Sequence, residues 1–257
     1  MRTLTELWRL DGRGAVVTGA ARGIGRAITL RLVEAGASVV LGDMDLEAAQ
    51  AVVAELGDDV AGSAVAVRAD VRVAEDLRSL AEHASRAPGG LRIWVNNAGV
   101  FPPAHPIRAD RETFDGILDV NVVGTHLGCQ AAATAMNGDG VIVNVSSTAA
   151  FRGAGAYSAS KWAVRGLTQG LGAHLGPRGI RVVGVAPTVV NTPGNAEVMR
   201  RGGEAMQKRA DDLVAAIPLR RAAEPDDVAR VVSFLVSDAA SYLTGITIPV
   251  DGGELAV

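Results

Sequence analysis

The chain is short of several things, and each shortage removes a class of function. Among 257 residues there is one cysteine, Cys129, so no internal disulfide can form. No activating partner for a thiol nucleophile is evident near it, and a thiol packed on an apolar helix is the reading that follows. Lysine occurs only at Lys161 and Lys208, and the net charge of −3 is spread without a long run of either sign. The arginine pairs Arg200-Arg201 and Arg220-Arg221 read as solvated loop residues, since a nucleic-acid footprint needs a basic stripe. His83, His105, His126 and His174 are scattered without ligand spacing, so no metal is expected. The longest uncharged stretch near the middle, 120–138, is interrupted by Asn121, His126 and Gln130 and does not read as a membrane span. Residues 1–8 lack the apolar core of a signal peptide. A soluble cytoplasmic protein with neither nucleic-acid nor membrane partner is the expectation.

What is abundant is Ala, Val, Leu and Gly, a composition suited to helices and sheet packed with close backbone approaches. At this length one large core can form, and no Pro/Ser-rich linker divides the chain, so residues 1–257 read as a single domain. Short β-branched runs alternate with longer amphipathic segments. Strands are expected at 15–17, 38–41, 64–67, 92–95, 141–145, 180–185 and 246–250. Helices are expected at 23–35, 46–56, 74–85, 111–136 and around Tyr157. The strands are continuous apolar runs, which implies burial on both faces and hence a parallel sheet covered by helices. The order predicts a doubly wound α/β fold of the dinucleotide-binding type, with seven parallel strands. Residues 191–216 break the alternation, and an insertion there, after a strand, is a candidate substrate lid.

Tyr157 and Lys161 stand four apart in Tyr157-Ser158-Ala159-Ser160-Lys161, one face of a helix. A phenol with an ordinary pKa of about 10 is a poor acid–base group at neutral pH, and an adjacent ammonium favours its ionised form. The pair is a candidate proton donor and acceptor; the alternative is an exposed helix with an incidental Tyr and Lys. The first strand runs into Thr18-Gly19-Ala20-Ala21-Arg22-Gly23-Ile24-Gly25 and then a helix. Glycines at such a turn let backbone approach a pyrophosphate and aim helix N–H groups at it. Asp43 ends the second strand, where a carboxylate can accept hydrogen bonds from adenosine ribose hydroxyls and repel a 2′-phosphate. That argues for NAD. Arg22 pulls the other way, towards NADP, but a desolvated like-charge contact outweighs an exposed pairing. Asp43 could instead cap a helix, a role that Asp45 fits better.

Together these residues resemble the short-chain dehydrogenase/reductase family, over essentially the whole chain from Leu10-Asp11-Gly12 to Val250-Asp251-Gly252-Gly253. Residues Gly19, Arg22, Gly23, Ile24 and Gly25 resemble the family's cofactor turn. Asp70-Val71 resembles its adenine-contacting pair, and Asn97, Ala98 and Gly99 the segment lining the cofactor ribose. The resemblance implies a catalytic set of Asn121, Ser147, Tyr157 and Lys161, with Val190 and Thr192 at the nicotinamide carboxamide. Two departures stand out. Ser147 and Tyr157 are ten residues apart, a few fewer than is usual, which tightens the loop 148–156 and leaves Ser146 as a fallback. Pro187 is followed by Thr188, where the family usually has Gly.

The implied activity is hydride transfer between nicotinamide and a carbonyl or alcohol carbon. Tyr157 would move the hydroxyl proton, and Ser147 would bond the substrate oxygen. Lys161 would hold the ribose and lower the Tyr157 pKa, and Asn121 would fix a relaying water. The leading expectation is an NAD-dependent interconversion of a secondary alcohol and a ketone. An NADPH-dependent 3-oxoacyl-thioester reductase is the alternative, and a nicotinamide sensor without chemistry is a third. Phe101, Pro102, Ala149, Phe151, Val190 and Met199 could line an apolar substrate pocket. The resemblance also implies a homotetramer, with the helical segments 111–136 and 155–175 at one interface and the last strand at another.

Overall fold

The computed structural model describes residues 1–57, 60–102 and 107–257. Seven strands form one parallel sheet in the order β3-β2-β1-β4-β5-β6-β7. They are β1 (Gly14–Thr18), β2 (Ser38–Asp43), β3 (Ser63–Arg68), β4 (Leu91–Asn96), β5 (Gly140–Val145), β6 (Ile180–Pro187) and β7 (Thr247–Val250). The helices are α1 (Leu4–Trp8), α2 (Gly23–Glu34), α3 (Leu46–Glu55), α4 (Ala74–Ala84), α5 (Arg111–Leu118), α6 (Gly124–Ala135), α7 (Gly155–Leu175), α8 (Pro193–Ala216) and α9 (Pro225–Val236). The doubly wound architecture expected from the sequence is the one observed.

Alternate residues of each central strand feed opposite layers. Ala15, Val17, Ile93, Val95, Val141 and Val143 pack with α2 and α9, through Ile28, Leu32 and Val232. Val16, Trp94 and Ile142 pack with α4, α6 and α7, through Leu80, Cys129 and Leu175. Because both sides are buried, these strands carry no polar face, which is why they read as unbroken apolar runs. The edge strands depart from that expectation: β3 and β7 are only half-buried, since each has a neighbour on one side alone.

Two further differences bear on function. The helical run expected over 111–136 is interrupted by a π-helical turn, Asp119–Val123, centred on Asn121. Residues 191–216 form mostly helix, as α8, broken at Gly203 (φ 63°, ψ −161°). The strand order reverses between β1 and β4, which opens a crevice at the carboxyl ends of the strands. None of the described helices is long and apolar enough to cross a membrane.

Candidate active site

The crevice is built on close backbone approaches. Gly19 leaves β1 with φ +63°, and a Cβ there would sit 2.8 Å from the Ala98 Cα. A Cβ on Gly25, in the first turn of α2, would sit 2.2 Å from the Gly19 carbonyl oxygen. Only glycine fits at either place. Asn97 laces the end of β4 to this turn: its Nδ2 donates to the carbonyls of Thr18 and Gly19, both at 2.9 Å. Thr18 Oγ1 accepts from the backbone N–H of Asn97 and of Ala98, each at 3.1 Å. The exposed Gly99 continues along the crevice. Arg22, at the N-cap of α2, makes no side-chain cap, so the first-turn N–H groups of Gly23, Ile24 and Gly25 carry no side-chain acceptor. That geometry fits a pyrophosphate.

At the end of β2, Asp43 Oδ2 accepts from Ala21 N at 2.9 Å and Oδ1 from Asp45 N at 3.0 Å. Asp45, not Asp43, caps α3. Arg22 lies 3.4 Å from the Asp45 carboxylate, so its guanidinium is already drawn to that side. Past β3, Asp70 is gripped by the Arg72 guanidinium and backbone N–H, which hold its carboxyl below the usual range. Its neighbour Val71 abuts the start of α6, where a Cβ on Gly124 would come within 2.7 Å of Val71 Cγ2.

Ser147 follows β5, and Tyr157 and Lys161 lie on α7. Ser147 Oγ accepts from Ala149 N at 3.2 Å and shares a cavity wall with the Tyr157 phenol, whose pKa it lowers. Lys161 Nζ sits 5.8 Å from the Tyr157 ring centre and donates to the Val145 carbonyl at 2.9 Å. Ser146 Oγ is buried and committed to the Lys161 carbonyl at 3.0 Å, which leaves Ser147 as the serine beside the phenol. Asn121 is wholly buried; its side chain bonds both the N–H and the carbonyl of Val100, at 2.8 and 2.9 Å, and the Ser160 hydroxyl at 3.0 Å. A Cβ on Gly99 would sit 3.2 Å from Asn121 Oδ1 and 3.6 Å from Lys161 Nζ, which fixes how near these groups lie to the crevice.

The electrostatics differ from the sequence expectation. Burial pushes the Tyr157 phenol above its ordinary value, and the Ser147 hydroxyl pulls it back only in part. Burial also pushes Lys161 down, to about 8. The expected lowering of Tyr157 by Lys161 is not the dominant influence in the cofactor-free chain. Two groups that leave water together each favour their neutral form, and the ammonium is turned to Val145.

These residues share one cavity of about 310 Å³, whose walls include Phe101, Thr188, Val190, Thr192, Met199 and Leu213. Phe101 meets Tyr157 edge-on, with ring centres 6.2 Å apart. The Thr192 methyl would lie 3.2 Å from a Cβ on Gly23, so the N-cap of α8 reaches the glycine turn. Thr188 Oγ1 is buried and has no hydrogen-bond partner among the described residues. Of the expected apolar wall, Phe101, Val190 and Met199 line the cavity, while Pro102, Ala149 and Phe151 do not. Phe151 instead lies under the Arg165 guanidinium, 4.1 Å from its ring centre. Asn195, Leu213 and the bridging Ser160 were missed, because only the third dimension brings α8 and the Asn121 turn here. A separate cavity of about 910 Å³ lies at the amino ends of β1, β4, β5 and β6, by Arg13, Arg92 and Tyr242, and contains none of these groups. Cys129 is buried against Asn96 and Asn144, with its thiol pushed up to about 12, as suits a packed rather than a reactive thiol. His105 lies outside the described residues.

Comparison with known proteins agrees with this geometry. A family model described as enoyl-(acyl carrier protein) reductase matches residues 19–254. The 4-formylbenzenesulfonate dehydrogenase TsaC1/TsaC2 of Comamonas testosteroni is 40% identical over 251 residues, covering 95% of this chain and 98% of that one. A solved short-chain dehydrogenase/reductase from Brucella melitensis, named glucose/ribitol dehydrogenase, superposes with a TM-score of 0.86 at 33% identity, covering 95% and 97% of the two chains. A Beutenbergia cavernae protein solved with NADP bound at low occupancy gives 0.85 at 37% identity, covering 97% and 99%. The chain belongs to the short-chain dehydrogenase/reductase family of oxidoreductases, which use a nicotinamide cofactor.

Proposed function

We propose that the protein interconverts a secondary alcohol and a ketone, with NAD(H) as cofactor. The observation that carries the reading is the convergence of Ser147, Tyr157 and Lys161 on one cavity beside the glycine turn. A nicotinamide bound in the crevice supplies or accepts the hydride. Tyr157 takes the hydroxyl proton in oxidation and returns it in reduction. Ser147 donates to the substrate oxygen and stabilises the charge that develops there. Lys161 leaves the Val145 carbonyl for the cofactor ribose and, once partnered, favours the Tyr157 phenolate. Asn121 holds the Val100 segment and anchors a water that passes protons from Lys161 to solvent. The face of Phe101, Val190, Met199 and Leu213 favours a largely apolar substrate body.

NAD is the favoured cofactor because the Asp43 carboxylate ends β2 and Arg22 is drawn to Asp45. A 2′-phosphate would meet the first without gaining the second. Asp70 and Val71 border the adenine, Asn97, Ala98 and Gly99 the ribose, and Val190 and Thr192 the carboxamide. The segment 191–216, hinged at Gly203, acts as the lid. The exposed Phe114 and Trp162, on α5 and α7, and Ile246, beside β7, suit the two interfaces of a homotetramer working in the cytoplasm.

A second reading, an NADPH-dependent 3-oxoacyl-thioester reductase, is favoured by the acyl-carrier wording of the matching family model and by NADP in one structural relative. Fluorescence titration with NADH and with NADPH separates the two. Tighter NADH binding supports the first, tighter NADPH binding the second, and binding of neither removes both. Tyr157→Phe should then lose at least about 100-fold in kcat while binding cofactor normally. Retention of more than a few per cent of activity would end the proton-transfer role.

A further inference from the structure

The segment from Ser147 to Tyr157 is held at its middle by the far end of the chain. Arg152 Nη2 donates to Glu254 Oε1 at 2.7 Å, across 102 residues of sequence. The Glu254 side chain is 7% exposed, against 45% for Arg152. The other Glu254 oxygen, Oε2, is buried and has no hydrogen-bond partner among the described residues, so Arg152 is the main compensation for a buried carboxylate. The turn that carries Glu254 is itself rigidly seated. The Asp251 carboxylate accepts from Gly253 N at 3.0 Å and Leu255 N at 2.9 Å. The backbone at 252–253 lies flush against Ile217, Pro218 and Leu219, the chain leaving α8, and Leu219 N donates to the Gly252 carbonyl at 3.2 Å. From the other side, Arg165 of α7 donates to the Ala150 carbonyl at 3.2 Å and covers Phe151.

We propose that Glu254 is a positioning residue: through Arg152 it clasps the loop 148–156 and thereby sets where the Ser147 hydroxyl stands beside the Tyr157 phenol, on which proton transfer depends. The proposal rests on the catalytic reading of Ser147 and Tyr157 given above. The physical need is plain. A loop with nine residues between its two functional groups has little freedom to absorb a shift, and a buried carboxylate on a seated turn is a fixed point for it. Loss of the clasp lets the 3₁₀ turn at Thr148–Ala150 drift and Ser147 with it.

The test compares Glu254→Ala, Glu254→Gln and Arg152→Met with the parent and with Tyr157→Phe, in the full chain. Glu254→Ala and Arg152→Met should lower kcat by about tenfold or more, with NADH affinity and substrate KM changed less than about twofold. Among the described residues the titratable neighbour of the phenol is the Lys161 ammonium, and the Ser147 hydroxyl is its neutral polar neighbour. Because Ser147 lowers the Tyr157 pKa, the basic limb of the kcat–pH profile should also move to higher pH. Glu254→Gln keeps an acceptor for Arg152 and should recover most of the kcat. Should Glu254→Ala fail to bind NADH, the half-exposed Arg152→Met carries the comparison. Unchanged kcat and pH profile in Arg152→Met, with Tyr157→Phe inactive, would overturn the clasp. An active Tyr157→Phe would instead remove the catalytic reading, and the proposal with it.

Discussion

Replacing Lys161 by methionine should make the cofactor-free protein more stable while ending its turnover. Lys161 is 5% exposed, and among the described residues its ammonium has one hydrogen-bond acceptor, the Val145 carbonyl. Burial lowers its pKa from 10.5 to about 8, so at pH 7 the folded chain holds a charged group in a place that disfavours charge. Converted at 1.36 kcal/mol per pKa unit, that penalty is about 3 kcal/mol. Methionine keeps most of the stem volume and removes the charge, but it leaves the Val145 carbonyl without its donor, a loss of about 1 kcal/mol. The net gain is about 2 kcal/mol, which for a chain of this length raises Tm by roughly 5 °C. The pH dependence gives the sharper check. Below about pH 8 lysine is protonated in both folded and unfolded chains, and the penalty is constant. Between about 8 and 10.5 the unfolded chain holds the proton that the folded chain has lost, so parental stability rises with pH through that window. The methionine variant lacks that rise, and its advantage should shrink by pH 10. Denaturation of both proteins at pH 7 and pH 10, without cofactor, measures the difference directly. A variant less stable than the parent at pH 7, or an advantage independent of pH, would refute the account of Lys161 as a strained charge.

Asp43→Ala should weaken NADH by about tenfold, the worth of a hydrogen bond to a charged group, and improve NADPH relative to it; an unchanged preference in paired titrations would mean the carboxylate does not face the ribose. Gly25→Ala should cost about 1–3 kcal/mol and abolish cofactor binding, because its Cβ would meet the Gly19 carbonyl, which is backbone and cannot swing aside. Calorimetric binding close to the parental value would show the turn to be more compliant than drawn. Asn144→Ala breaks a buried chain in which Trp94 Nε1 donates to Asn96, Asn96 to Asn144 and Asn144 to Thr168. It should lose about 2 kcal/mol in urea denaturation, since Asn96 keeps a donor with only the weak Cys129 acceptor; a loss below about 0.5 kcal/mol would show that the network is not cooperative.

The sequence announced the features that lie along one element, and was silent where distant elements supply the partner. The parallel sheet was legible because burial on both faces writes itself into each central strand, as at Ala15-Val16-Val17. The same rule misjudged β3 and β7, because an apolar run does not reveal that its strand stands at an edge. Tyr157 and Lys161 were legible through helical spacing, yet their charge state was not: it depends on the Val145 carbonyl and on burial under β5. Asn121 could be read from the sequence as an amide at a helix kink, but the π turn that holds it, and its bonding to Val100, 21 residues away, could not. Phe151 was expected on an apolar cavity wall, but Arg165, a turn beyond Lys161 on α7, claims its ring. Glu254 carries no signal at all in the linear chain, since a single acid after a glycine pair resembles any surface turn. What a short spacing does disclose is need. The nine residues between Ser147 and Tyr157 form a short loop, and beyond its own turn bonds the structure braces it with two arginines, one reaching out from the loop and one reaching in, and with the Ser158 hydroxyl on the Ala149 carbonyl.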